Sequence, residues 1–69
     1  MRDLEIFVNG EPVQTQATHL QALLLERGHD LSGAFACAVN NTFVARPMWP
    51  QCALHAMDRV DVIAPITGG

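Results

Sequence analysis

A chain of 69 residues, 49% hydrophobic and 16% charged, suffices for one small folded domain and excludes an intrinsically disordered chain of high net charge. The net charge is −3, and the four basic residues, Arg2, Arg27, Arg46 and Arg59, are scattered, so no basic stripe exists to neutralise phosphates and no nucleic acid partner is expected. No apolar run approaches the length of a bilayer span and no basic-then-apolar leader is visible, so no membrane partner is expected and the location read from the sequence is cytoplasmic.

In chain order, Leu4, Ile6 and Val8 alternate with Asp3, Glu5 and Phe7, the period of a half-buried strand. Asn9-Gly10 is a hairpin signal, and Pro12-Val13-Gln14-Thr15 returns as the second strand. Thr18 and Gln21 have the spacing of a capping box, which predicts a helix starting near His19. Leu20, Leu23 and Leu24 give that helix one apolar face, and Gly28 supplies its left-handed stop, for a length of about nine residues. Phe35, Cys37 and Val39 alternate with alanines, Asn40-Asn41 tolerates positive φ, and Thr42-Phe43-Val44-Ala45 completes a second strand pair. Pro47 and Pro50 bracket Trp49, so residues 46–57 read as loop or short helical turn, after which Val60, Val62 and Ala64 resume the strand period. Pro65 ends ladder pairing, and Ile66-Thr67-Gly68-Gly69 follow it. One helix face is thus available to cover one face of a sheet of about five strands, an α+β two-layer architecture. The expected organisation is a single domain over 1–66 and a flexible tail over 67–69.

No catalytic constellation and no metal site is expected. His19, His29 and His55 lack the short spacings of a zinc site, and Cys37 and Cys52 have no CxxC spacing and no activating surroundings, so both thiols read as small hydrophobes. Trp49 is either an interface anchor or a lid over the end of a small core. The low charged fraction, below the roughly 25% usual for soluble domains, leaves apolar side chains at the surface and points to a protein partner.

Gly68-Gly69 carries the remaining chemistry. A free carboxylate resists nucleophilic attack, but adenylation converts it to an acyl adenylate with a good leaving group. Residues without Cβ permit the close backbone approach that entry into another protein's ATP site demands. From Ile66 onward an extended chain spans on the order of 10 Å, enough to enter a cleft while the body docks outside.

Val8-Asn9-Gly10, Ala38-Val39-Asn40, Phe43-Val44-Ala45-Arg46 with Trp49, Asp58-Arg59-Val60 and Pro65-Ile66-Thr67-Gly68-Gly69 together resemble the thiamine-pathway sulfur carrier (ThiS) family over the whole chain. The resemblance implies a ubiquitin-like β-grasp fold, with the first and last strands as parallel neighbours. It implies that a ubiquitin-activator-like adenylating enzyme, using ATP and magnesium, activates the Gly69 carboxylate. A sulfur donor system then yields a thiocarboxylate, and thiazole synthase receives the sulfur. The carrier itself binds no cofactor and is not an enzyme. Gly69 carries over as the modified residue, with Gly68, Thr67 and Ile66 as the tail that enters the partner's channel.

Two departures stand out. Met57-Asp58 occupies a turn where such proteins commonly carry Gly-Asp; a left-handed backbone strains Met57, so this turn is expected to differ in shape. Residues 28–34 give no family signal and are a place where partner choice can vary. A molybdopterin-type sulfur carrier shares the Gly69 chemistry and differs only in the acceptor enzyme. A ubiquitin-like modifier would end in an isopeptide bond to a target lysine, and an interaction domain with an incidental diglycine would show no ATP-dependent change at its terminus.

Overall fold

The structure, a computed structural model, describes residues 3–64. Its elements are strands β1 (Leu4–Val8) and β2 (Glu11–Thr15), helix α1 (Leu20–Glu26), strands β3 (Ala36–Val39) and β4 (Thr42–Val44), a 3₁₀ segment (Arg46–Gln51), and strand β5 (Arg59–Ile63). The strands form one mixed sheet in the order β2-β1-β5-β3-β4. β5 lies parallel to β1 and antiparallel to β3, so the last strand of the chain occupies the middle of the sheet. The parallel pairing of first and last strands and the single covering helix are those of the expected β-grasp. The expected boundary between residues 66 and 67 lies outside the described residues.

Both hairpins close on two-residue turns for the reason their sequences suggest. Asn9 and Gly10 have φ of 51° and 85°, and Asn40 and Asn41 have φ of 52° and 68°, the left-handed pairs whose twist matches that of the flanking strands. Register follows from them: Val8 pairs with Glu11 and Val39 with Thr42. Pro12 lies opposite Phe7 on β2, an edge strand where a missing N–H is tolerated.

The helix differs from expectation at its start. His19, not Thr18, is the N-cap, and its Nδ1 accepts the backbone N–H of Ala22 at 3.1 Å. Thr18 is committed elsewhere: its carbonyl accepts the N–H of Leu54 at 3.0 Å, while Leu20 N–H donates to the carbonyl of Cys52 at 2.9 Å. This bridge keeps the chain extended through His19, at φ −146° and ψ 166°, and delays the helix by one residue. With Arg27 as the C-cap at its other end, the helix is seven residues long rather than nine. Its end is as read from Gly28, which at φ 85° donates to the carbonyl of Leu25 while His29 donates to that of Leu24, a Schellman motif.

Leu20, Leu23 and Leu24 are fully buried and pack with Ile6, Val8, Cys37 and Val60 from one face of the sheet; Trp49 and Leu54 close the end of this core. Thr15 is buried beside them. Its hydroxyl donates to the Glu26 carboxylate and accepts the N–H of Ala17, tying the end of β2 to the last turn of α1.

The turn before β5 corrects a second expectation. Met57 adopts φ 69° despite its side chain, so the left-handed shape is kept and the strain accepted. Long-range bonds hold it: Met57 N–H donates to the carbonyl of Glu5 at 2.6 Å, and the Asp58 carboxylate accepts from His55 N–H and from Asn40 Nδ2. The 58% exposed Met57 side chain gains little burial in return.

Candidate functional site

Ile66, Thr67, Gly68 and Gly69, the residues singled out from the sequence, lie outside the described residues. What the structure defines is the strand that leads to them. β5 runs through the centre of the sheet and ends at Ile63, beside Ala36 at the start of β3.

The two flanks of β5 differ at this end. Toward β3 the ladder is complete, with Val60, Asp61, Val62 and Ile63 opposite Val39, Ala38, Cys37 and Ala36. Toward β1 the strand pairing stops at Val8 and Val60 because β1 turns away at Asn9. There the Asn9 side chain intervenes: its Oδ1 accepts the backbone N–H of Val62 at 2.8 Å, while its own N–H donates to the carbonyl of Val60 at 2.9 Å.

Residues 29–35, leading into β3, are fastened by Arg46. Its guanidinium donates to the carbonyls of Leu31, Gly33 and Phe35, the last two at 2.8 and 3.0 Å. It also lies 4.5 Å from the centroid of the Trp49 ring and 5.3 Å from that of Phe35, and these two rings stack on each other at 5.2 Å. Trp49 is 2% exposed and donates its indole N–H to the carbonyl of Val44 at 3.0 Å. Of its two readings the lid over the core is the correct one. Asp30 closes the far end of the same loop by accepting from the Ser32 hydroxyl and N–H, which holds its carboxyl below the ordinary carboxylate range.

The sheet face opposite the helix carries Phe7, Ala36, Ala38, Phe43 and Ile63, with Arg59 and Asp61 among them. Phe43 and Ile63 are 69% and 56% exposed, the apolar surface that the low charged fraction foreshadows. One concavity opens on this face and another at the sheet's edge. One of about 280 Å³ is lined by Phe7, Gly10, Asn41, Arg59 and Asp61, and one of about 460 Å³ runs past Phe43, Val44, Met48 and Cys52 at the β4 edge.

Cys37 and Cys52 are free thiols, and burial among apolar side chains pushes both up from the ordinary thiol value. A thiol with a raised pKa carries little thiolate at neutral pH and reacts slowly there, as expected from the strand around Cys37. The histidines are dispersed: His19 caps α1, His29 rests against Phe35, and His55 sits on the turn with Asp58. Among the described residues no three His, Cys, Asp or Glu side chains converge as metal ligands, and no helix is long and apolar enough to cross a membrane.

A family model, the ThiS family, matches residues 4–69, nearly the whole chain and its diglycine end. The chain belongs to the ThiS family. Among solved structures, the ThiS thiamine biosynthesis protein of Geobacter metallireducens superposes with a TM-score of 0.81, covering 96% of this chain and all of that one. At 17% identity this likeness is one of fold, and it places this ThiS-family chain in the β-grasp class. No curated protein matches the sequence.

Three features of the site were not read from the sequence. Asn9 is read there as a turn former and, like Arg46 and Asp58, as part of the family resemblance, with no long-range bond assigned to any of the three. Each acts on a partner distant in the chain, and an Asn, Arg or Asp in a loop carries no local pattern that names such a partner.

Proposed function

We propose that this ThiS-family chain is a non-catalytic sulfur carrier of thiamine biosynthesis that works through the carboxylate of Gly69. The observation that carries the reading is the family match, which runs through the terminal diglycine. Supporting it, the central strand leads directly into residues 65–69, and exposed Phe43 and Ile63 lie on the face beside that strand, where an adenylating enzyme has apolar surface to grip.

In the proposed cycle a Gly69 carboxylate oxygen attacks the α-phosphorus of magnesium-bound ATP held by the adenylating enzyme, and pyrophosphate leaves. A hydrosulfide equivalent from the sulfur donor system adds to the acyl carbon, and AMP departs with the electron pair of the broken C–O bond. The resulting thiocarboxylate is presented to thiazole synthase, where its sulfur bonds to the acceptor substrate and an oxygen nucleophile then adds to the acyl carbon, breaking the C–S bond and restoring the carboxylate. Ile66, Thr67 and Gly68 thread the partner's channel, where Gly68 permits close backbone approach. The chain binds neither ATP nor magnesium itself. It acts in the cytoplasm, where Cys37 and Cys52 remain reduced.

Incubation with the adenylating enzyme, magnesium, ATP and a sulfur donor tests this by intact-protein mass spectrometry. The native chain exchanges one oxygen for sulfur at its C-terminus. A chain with one residue appended after Gly69 does not, because the carboxylate is carried past the point where reacting atoms meet at about 3–3.5 Å. Conversion of the extended chain at the native rate would overturn the reading, and higher-mass adducts on lysine would replace it with that of a protein modifier.

A further inference from the structure

In a regular parallel ladder the hydrogen bonds are evenly spaced, so each residue of one strand that donates to its neighbour also accepts from it two residues further along. β1 and β5 begin this way, with Phe7 N–H donating to the carbonyl of Asp58 at 2.8 Å and Asn9 N–H to that of Val60 at 2.9 Å. The next bond of the series is from Val62 N–H to the backbone carbonyl of Asn9. That carbonyl is unable to serve, because Asn9 has entered the left-handed region at φ 51° to start the hairpin. The Asn9 side chain supplies the bond instead, its Oδ1 standing 2.8 Å from the Val62 nitrogen.

One residue thereby performs two tasks: its backbone turns β1 away, and its side chain prolongs the β1 ladder by one rung. The rung falls near the end of β5, on the flank from which β1 has departed, while β3 holds the other flank as far as Ile63. We propose that Asn9 is a positioning residue: by completing the Val62 rung it holds the exit strand in line with the sheet and sets the direction in which the chain leaves the body toward Gly69. This rests on the sulfur-carrier reading for its functional consequence and on the described geometry for its structural one. A carboxylate that has to reach a reacting atom in another protein is delivered productively only from the fraction of molecules whose exit strand is aligned, and apparent affinity falls with that fraction.

Asn9→Gly and Asn9→Asp separate the side-chain bond from the turn. Glycine adopts positive φ with ease, so N9G keeps the hairpin and deletes only the acceptor. Aspartate tolerates the left-handed region and keeps an oxygen in the same place. In N9G, amide exchange at Val62 is expected to speed up about fivefold to tenfold, the opening expected on losing one hydrogen bond and more than at Val60, while the fold persists with a thermal midpoint lowered by several degrees. With the adenylating enzyme, N9G raises the KM for thiocarboxylate formation severalfold at unchanged kcat, and N9D restores native behaviour in both measurements. Native exchange at Val62 in N9G, or N9D as impaired as N9G, would overturn the proposal. If the native chain is not converted at all, the sulfur-carrier reading fails, and the exchange measurement still decides whether Asn9 holds the strand.

Discussion

The guanidinium of Arg46 lies 4.5 Å from the centroid of the Trp49 ring, and Trp49 is 2% exposed while Arg46 remains at the surface. The pair joins a buried lid to an exposed loop, since the same guanidinium holds the carbonyls of Leu31, Gly33 and Phe35. Arg46→Ala should cost about 1–2 kcal/mol, from one cation–π contact and solvent-screened hydrogen bonds. Arg46→Lys should recover little of it, because an ammonium lacks the planar fork that spans several carbonyls. Urea titrations give the stabilities, and amide exchange across residues 29–35 reports the loosened loop. Native protection of that loop in Arg46→Ala would show that it is held by other contacts.

Helix α1 contributes to the core through Leu23 and leaves Leu25 56% exposed. Leu23→Ala should therefore destabilise by about 2–5 kcal/mol, the range for a buried leucine whose cavity only partly collapses. Leu25→Ala should stay within about 0.5 kcal/mol of native, as surface substitutions do. Equal losses for the two in a denaturant titration would mean that the buried stripe is wider than the structure places it.

At Met57 the left-handed backbone costs a side chain about 1–2 kcal/mol, part of which glycine returns through its larger unfolded-state entropy. Met57→Gly should thus stabilise the domain by about 0.5–1 kcal/mol. Met57→Val should destabilise it, since β-branched residues fit φ 69° worst. Thermal midpoints of the two variants moving in the same direction would contradict the strain argument.

The two thiols set a limit on alkaline stability. Burial raises the folded pKa of Cys37 and of Cys52 above the ordinary 9.0, so above that value the unfolded chain loses its thiol protons first. The stability linked to them is fully present below pH 9.0 and is lost as pH rises through the folded values. Unfolding free energy should fall above that pH in the native chain and fall less steeply in Cys37→Ala/Cys52→Ala. The same double variant should still form thiocarboxylate, because neither thiol is set up as a nucleophile. A folded double variant unable to do so would assign a cysteine to the sulfur chemistry.

What the sequence determined by itself is local. Alternation over Leu4–Val8 and the Leu20, Leu23, Leu24 stripe record which side of each element is apolar. Asn9-Gly10, Asn40-Asn41 and Gly28 mark where the backbone enters the left-handed region, because few residues do so at low cost. These patterns, with the diglycine end, were enough for the element order and for the family resemblance.

Tertiary structure decided the rest, because each remaining feature depends on a partner that proximity in sequence does not reveal. Thr18 has the spacing of a cap but is drawn into the bridge with residues 52–54, so His19 caps the helix. Met57 has the wrong side chain for its turn but is held there by Glu5 and by the bonds to Asp58. Asn9 reaches Val62 across 53 residues of chain, a contact that exists only once β1 and β5 lie parallel. Periodicity and turn chemistry report what one segment prefers alone, whereas these bonds form only when segments distant in the chain are packed together.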